Sequence, residues 1–109
     1  MELDKEMQEK IQQLQNYEQI MHNLLMQKQA FQMELSESKN AIEEVKDAKG
    51  DVFKLVGNIM VKSDKKKIED GLKKKNELLE LRLKSIEKQE KDIEKQAEEL
   101  KSEVMKKIK

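Results

Sequence analysis

The sequence predicts a mainly α-helical fold, an antiparallel two-helix coiled coil with a β-hairpin at the connection. Two observations predict it. Apolar residues recur at seven-residue spacing on both sides of a short central segment, and that segment is rich in β-branched residues around a Gly-Asn pair. The composition, with 42% charged residues and no Pro or Cys, is typical of long charged helices. We expect one domain over residues 1–109.

The N-terminal helical arm is predicted over residues 4–46. Two series of seven-residue spacing run through it, and nine of their twelve positions are apolar or aromatic, which is typical of a coiled-coil seam. The series are Met7, Leu14, Met21, Lys28, Leu35 and Ile42, and Lys10, Tyr17, Leu24, Phe31, Ser38 and Val45. We expect four more apolar residues to widen this stripe. These are Ile11, Ile20, Leu25 and Ala41.

The C-terminal helical arm is predicted over residues 64–108 by the same spacing. Its series are Leu72, Leu79, Ile86, Ile93 and Leu100, and Asn76, Leu83, Glu90, Ala97 and Val104. At 1.5 Å per residue each arm would be roughly 65 Å long. Equal arms on either side of a short connector indicate that the two helices run antiparallel.

The connector, residues 47–63, is predicted to form a β-hairpin. Gly57-Asn58 fits a two-residue type II′ turn with Gly at its first central position. This turn sets the register of the strands. The expected pairs are Val56 with Ile59, Leu55 with Met60 and Lys54 with Val61.

Both faces of this hairpin are predicted to be apolar. One would carry Val56, Ile59 and Val61, and the other Phe53, Leu55 and Met60. A lone two-stranded hairpin is marginal in water, and its unpaired edges favour pairing with another chain. We therefore interpret the segment as an oligomerisation hairpin. Its residues are Val52, Phe53, Leu55, Val56, Gly57, Asn58, Ile59, Met60 and Val61. The alternative is a monomer whose hairpin folds back onto Leu78 and Leu81.

The segments Val52–Lys62 and Leu78–Arg82, in a chain with the order helix, hairpin, helix, resemble a prefoldin β-type subunit of the archaeal kind. Phe53 stands where that pattern leads us to expect Tyr. The resemblance implies an ATP-independent holding chaperone in the cytoplasm. In such a chaperone, two α-type and four β-type subunits join their hairpins into an intersubunit β-barrel. The helix tips bind unfolded client proteins and pass them to a group II chaperonin.

The residues at the two chain ends are the candidate client-binding tips. They are Leu3, Met7, Ile11, Val104, Met105 and Ile108. Terminal turns of helices lack backbone partners and fray, and Met adapts to many apolar surfaces. The alternative is that these residues only close the end of the seam.

Other function classes find little support in the sequence. No apolar run is long enough to span a membrane, and the charged first ten residues do not predict a secretory signal. The single His22, the absence of Cys and the lack of a phosphate-binding loop argue against an enzyme, a metal site or a cofactor. The clusters Lys65–Lys67 and Lys73–Lys75 are interpreted as solvated helix faces rather than a nucleic-acid site.

Two other functions remain open besides that of a chaperone. The chain could be a coiled-coil tether, or an adaptor for one partner helix, in either case with a β-hairpin oligomerisation module.

Arg82, the single Arg of the chain, is expected to pair with a carboxylate near the hairpin.

Overall fold

The computed structural model describes residues 4–108, and it confirms the predicted fold class. The elements are α1 (Lys5–Asp47), β1 (Val52–Val56), β2 (Ile59–Ser63) and α2 (Lys65–Ile108). They pack as two compact units, which we describe separately. One comprises the residues up to Gln29 and from Lys84 onward, and the other is Ala30–Leu83. Within the described residues, neither helix has an apolar stretch long enough to cross a membrane.

Both helices begin at an aspartate that caps the first turn. The Met7 N–H donates to Asp4 Oδ1 at 2.7 Å, and the Lys66 N–H donates to Asp64 Oδ1 at 3.1 Å. Each carboxylate satisfies a backbone donor that has no partner inside the helix. Because Asp64 follows directly on the last residue of β2, the hairpin joins α2 without a flexible linker.

In the unit that contains the chain ends, the seam combines buried apolar residues with paired charges. The buried residues are Met7, Leu24, Ile86 and Val104. The polar members of the seam pair across the two helices. Lys28 Nζ lies 3.2 Å from Glu90 Oε1, and Lys10 Nζ lies 3.4 Å from Glu103 Oε2. Lys28 and Glu90 are thus matching polar members of the two heptad series, whereas Lys10 pairs with a residue beside the seam.

In the unit Ala30–Leu83, the seam packs Ile42 and Leu79, and Leu79 is only 2% exposed. Ion pairs flank it at Glu34–Lys75 and Lys39–Glu80. The Ser38 hydroxyl and Asn76 Oδ1 are buried with no hydrogen-bond partner among the described residues. This polar part of the seam therefore lowers stability relative to an apolar one.

The two predicted seams are confirmed, because every position of the four heptad series is buried or half-buried. The predicted widening of the α1 stripe is only partly right. Ile11 and Ala41 are half-buried, whereas Ile20 and Leu25 are exposed. The latter two flank the seam on its solvent side, beyond the reach of a single partner helix.

The hairpin has the predicted register. Val56 pairs with Ile59 and Leu55 with Met60 in an antiparallel two-stranded sheet. Gly57 has φ = 61°, and it is the only residue of the described chain with positive φ. Positive φ at the first central position alone is the signature of a type II′ turn, which matches the twist of the strands.

Candidate functional site

The hairpin exposes most of its apolar side chains. Leu55, Ile59 and Met60 each leave about two thirds of their surface in solvent, with exposed fractions of 68%, 67% and 67%. Phe53, Val56 and Val61 are also exposed, and Val52 is half-buried. We call the set of Phe53, Leu55, Val56, Ile59, Met60 and Val61 the hairpin surface. Contiguous apolar exposure of this kind marks an interaction site.

The hairpin surface has two sides. Cross-strand partners lie on the same face of a sheet, so Leu55 and Met60 share one face and Val56 and Ile59 share the other. Packing against one element of the same chain could cover only one of these faces. The strands also form a sheet of only two among the described residues, so each has an unpaired edge.

The alternative in which the hairpin folds back onto Leu78 and Leu81 is wrong. Those leucines are 49% and 64% exposed, so no strand covers them. The hairpin is instead attached at its base, where Asp64 starts α2. This leaves its apolar faces open.

A groove of about 640 Å³ lies beside the hairpin in the same unit. Both helices and the hairpin contribute to its apolar walls. The wall residues include Ala41 and Val45 of α1, Phe53 and Leu55 of β1, and Ile68 and Leu72 of α2. Lys54, Lys67 and Lys75 stand at its rim. The groove is large enough for several side chains of another strand.

Lys65 ties the base of the hairpin to the end of α1. Its Nζ donates to the carbonyl oxygens of Lys46 and Ala48, at 2.8 and 3.1 Å. A cation there satisfies carbonyls that the helix leaves free and complements its dipole. The interpretation of Lys65–Lys67 as a solvated face misses this role of Lys65. No short-range signal in the sequence could have shown it, because the contact joins residues 17 and 19 positions apart.

The predicted tip residues differ in how far the structure buries them. Met7 and Val104 are buried in the seam, and Ile11 is half-buried. Met105 and Ile108, three residues apart on α2, are 47% and 53% exposed. Leu3 lies outside the described residues. In the folded helix pair, the exposed apolar surface at this end therefore includes Met105 and Ile108, while Met7 and Val104 are packed in the seam.

Charged residues surround this end of the seam. Glu6 Oε1 lies 3.2 Å from Lys107 Nζ and 3.4 Å from Lys10 Nζ, and Lys10 also contacts Glu103. The hydrogen bond and charge of Lys107, and then those of Lys10, lower the pKa of the Glu6 carboxyl. The network links α1 to α2 across the buried Met7 and Val104.

The expected pairing of Arg82 with a carboxylate is not found among the described residues. The Arg82 guanidinium lies over the Phe31 ring, 5.7 Å from the centroid, in a cation–π contact. The aromatic partner takes the planar face of the side chain, which Lys could not offer. Among the described residues, no group of three His, Cys, Asp or Glu side chains is placed to hold a metal ion.

Comparisons with known proteins find relatives of the same architecture. The family model described as "Prefoldin subunit" matches residues 8–109. The prefoldin subunit beta of Thermococcus onnurineus is 40% identical over 57 residues, and that of Pyrococcus furiosus is 39% identical over 57 residues. Each alignment covers 50% of this chain and 49% of the relative, so the chain spans about half the length of the curated relatives it matches.

A solved structure extends the likeness to nearly the whole chain. The crystal structure of the prefoldin beta subunit from Thermococcus strain KS-1 superposes with a TM-score of 0.88 at 34% identity. The superposition covers 96% of this chain and 94% of that one.

Proposed function

The chain belongs to the prefoldin subunit family, and from this premise we propose that it is a subunit of an ATP-independent holding chaperone. Its hairpin joins the hairpins of α-type subunits and further copies of itself, in a hexamer of two α and four β subunits built on a β-barrel. Its helix tips bind non-native polypeptides in the cytoplasm, and the client passes to a group II chaperonin. The observation that carries the proposal is the two-sided hairpin surface.

The assembly step follows from what the hairpin leaves exposed. Fully burying one large apolar side chain contributes about 1.5–3 kcal/mol, and six such side chains form the hairpin surface. Strands added at both edges satisfy the free backbone groups, and a closed barrel leaves no edge. The groove beside Phe53 and Leu55 offers a place for apolar side chains of the neighbouring strands.

The capture step uses the end of the helix pair. Met105 and Ile108 are exposed in the last two turns of α2, where backbone carbonyls lack partners inside the helix. Fraying of these turns would add Met7 and Val104 to the apolar surface. Each tip offers only a few side chains and binds weakly. Several tips on one assembly bind a client together, so that avidity replaces the affinity of a single site.

An aggregation assay tests this function. The chain, alone and with an α-type subunit, is added without ATP to several unrelated denatured proteins, and light scattering is recorded. We expect near-stoichiometric suppression for all of them. A tether would leave the scattering unchanged, and an adaptor would protect one client at most; either result would contradict the proposal.

The tip contribution is tested by a double variant, Met105→Ser with Ile108→Ser. We expect it to keep the mass of the assembly and to lose most of the suppression. The matched control is Leu25→Ser with Met26→Ser. It removes two apolar side chains of similar exposure that lie on α1, away from the tip. Equal losses in the two double variants would contradict a specific role for the tips.

A further inference from the structure

A second groove, of about 310 Å³, lies in the unit that contains the chain ends. Its floor is apolar and consists of Leu14, Met21 and Ala97. Its rim carries Glu18, Glu94, Glu98 and Lys101. None of these seven residues belongs to the tip or to the hairpin surface.

The groove exists because Ala97 occupies a seam position. The other members of its series in this unit are Glu90, paired with Lys28, and the buried Val104. A methyl group at residue 97 leaves space above Leu14 and Met21 that a larger side chain would fill. The volume fits one aromatic or large aliphatic side chain from outside, and Met21 can adjust to its shape.

The rim of the groove is negatively charged and unpaired. Three carboxylates face one ammonium group, and none of these four groups forms an ion pair with a described residue. By contrast, the nearby Lys10 and Lys28 each pair with a glutamate of α2. The rim carboxylates are therefore available to a cationic group that arrives with a ligand.

We propose that this groove binds an extended non-native segment in which a large apolar side chain stands next to Arg or Lys. The apolar side chain enters above Ala97, and the cation contacts Glu94 and Glu98 or Glu18. The inference rests on the proposed chaperone function and adds to it a client class and a second contact away from the tips. The three rim carboxylates give the groove a preference for cationic clients, which the exposed Met105 and Ile108 side chains of the tip do not supply.

Two labelled, unstructured peptides test the preference with the full-length chain. One alternates Phe and Arg, and the other has Glu in place of every Arg. At low salt we expect the Arg peptide to bind about tenfold more tightly by fluorescence anisotropy, since the sign of the interaction with the rim reverses. Equal affinities, or tighter binding of the Glu peptide, would overturn the proposal.

Two variants locate the binding. Ala97→Leu fills the groove, so we expect it to raise the thermal stability of the helix pair and to reduce the affinity for the Arg peptide to that for the Glu peptide. Glu94→Gln with Glu98→Gln keeps the apolar floor and should remove most of the charge preference. The matched control, Glu87→Gln with Glu99→Gln, removes two exposed glutamates of α2 outside the groove. Unchanged binding in Ala97→Leu, or an equal loss in the control, would overturn the proposal.

The outcome is separable from that of the proposed function. Suppression of aggregation without any preference between the two peptides would overturn the proposed role of the groove and leave the proposed chaperone function supported. Peptide binding at the groove without suppression of aggregation would support the groove and contradict the holding function.

Discussion

The helix seam and the hairpin use the same kinds of side chain with opposite results. In the seam, Leu79 and Ile86 are 2% and 4% exposed, whereas Leu55 and Ile59 of the hairpin are 68% and 67% exposed. The difference lies in the backbone. A helix satisfies its own hydrogen bonds and needs only one apolar partner face, which the other helix supplies. A two-stranded sheet has two faces and two free edges, which this chain does not cover.

The comparison teaches that stability and association are divided between the two regions. The seam is completed within the chain, so changes there should alter folding. On the proposed function the hairpin is completed by other chains, so changes there should alter assembly while the helices persist. Four changes would break or sharpen this division, and they are arranged from the largest expected effect to the smallest.

The largest effect is expected for Ile59→Asp on the hairpin surface. A carboxylate there would be buried without a partner in the assembly, which is strongly unfavourable. We expect at least about a 100-fold loss of association, a cost of roughly 3 kcal/mol, with helical circular dichroism retained. The control is Met33→Asp, which changes a side chain of equal exposure on α1, 67% in each case. Sedimentation velocity checks both, and equal loss of association would contradict a special role for the hairpin.

The next effect is expected for Leu79→Ala in the seam. Truncating this buried leucine should cost about 2–3 kcal/mol, the lower part of the range for buried leucines, because a seam between two helices encloses the cavity less completely than a globular core does. Leu81→Ala removes the same atoms from a side chain that is 64% exposed and should cost under about 0.5 kcal/mol. Urea unfolding followed by circular dichroism measures both. Similar losses would mean that the exposure of Leu81 does not persist in solution.

The charged pair inside the seam should behave differently from an apolar layer. The side chains of Lys28 and Glu90 are 27% and 17% exposed, so each depends on the other for compensation. We expect Lys28→Ala to cost about 1–3 kcal/mol because it leaves a carboxylate partly buried and unpaired. Replacing both residues with Leu should restore or raise the stability. A double variant less stable than the unmodified chain would show that the ion pair stabilises the seam more than an apolar layer does.

The smallest effect is expected at the tip. The pKa of Glu6 is lowered in the folded state by Lys107 and Lys10, so its contribution is present above its ordinary pKa of 4.5. That contribution is lost as the pH falls through the lowered value. Relative to the intrinsic exchange rate at each pH, amide hydrogen exchange in the terminal turns should therefore accelerate below pH 4.5. In Glu6→Gln this additional acceleration should be absent, and its persistence would assign it to another group.

The sequence was sufficient to predict the elements whose signal is periodic or local. Seven-residue spacing predicted the seam, and Gly57-Asn58 predicted both the register and the type II′ turn. Long-range features carried no such signal. The contact of Lys65 with the end of α1, the stacking of Arg82 on Phe31 and the groove above Ala97 depend on which residues the antiparallel pairing brings together.

The tip shows what the heptad pattern adds within a single set of residues. The heptad series include Met7 and Val104 and leave out Met105 and Ile108, yet all four are assigned to the client-binding tip because they are apolar and lie near the chain ends. The structure buries the first two and exposes the last two.

The most direct test of the central claim is the mass of the unmodified chain in solution over a wide concentration range, measured by sedimentation equilibrium with and without an α-type subunit. We expect association that deepens with concentration and a defined hetero-oligomer when the second subunit is present. A well-folded monomer at high concentration, unchanged by the second subunit, would contradict the claim that the hairpin surface is completed by other chains.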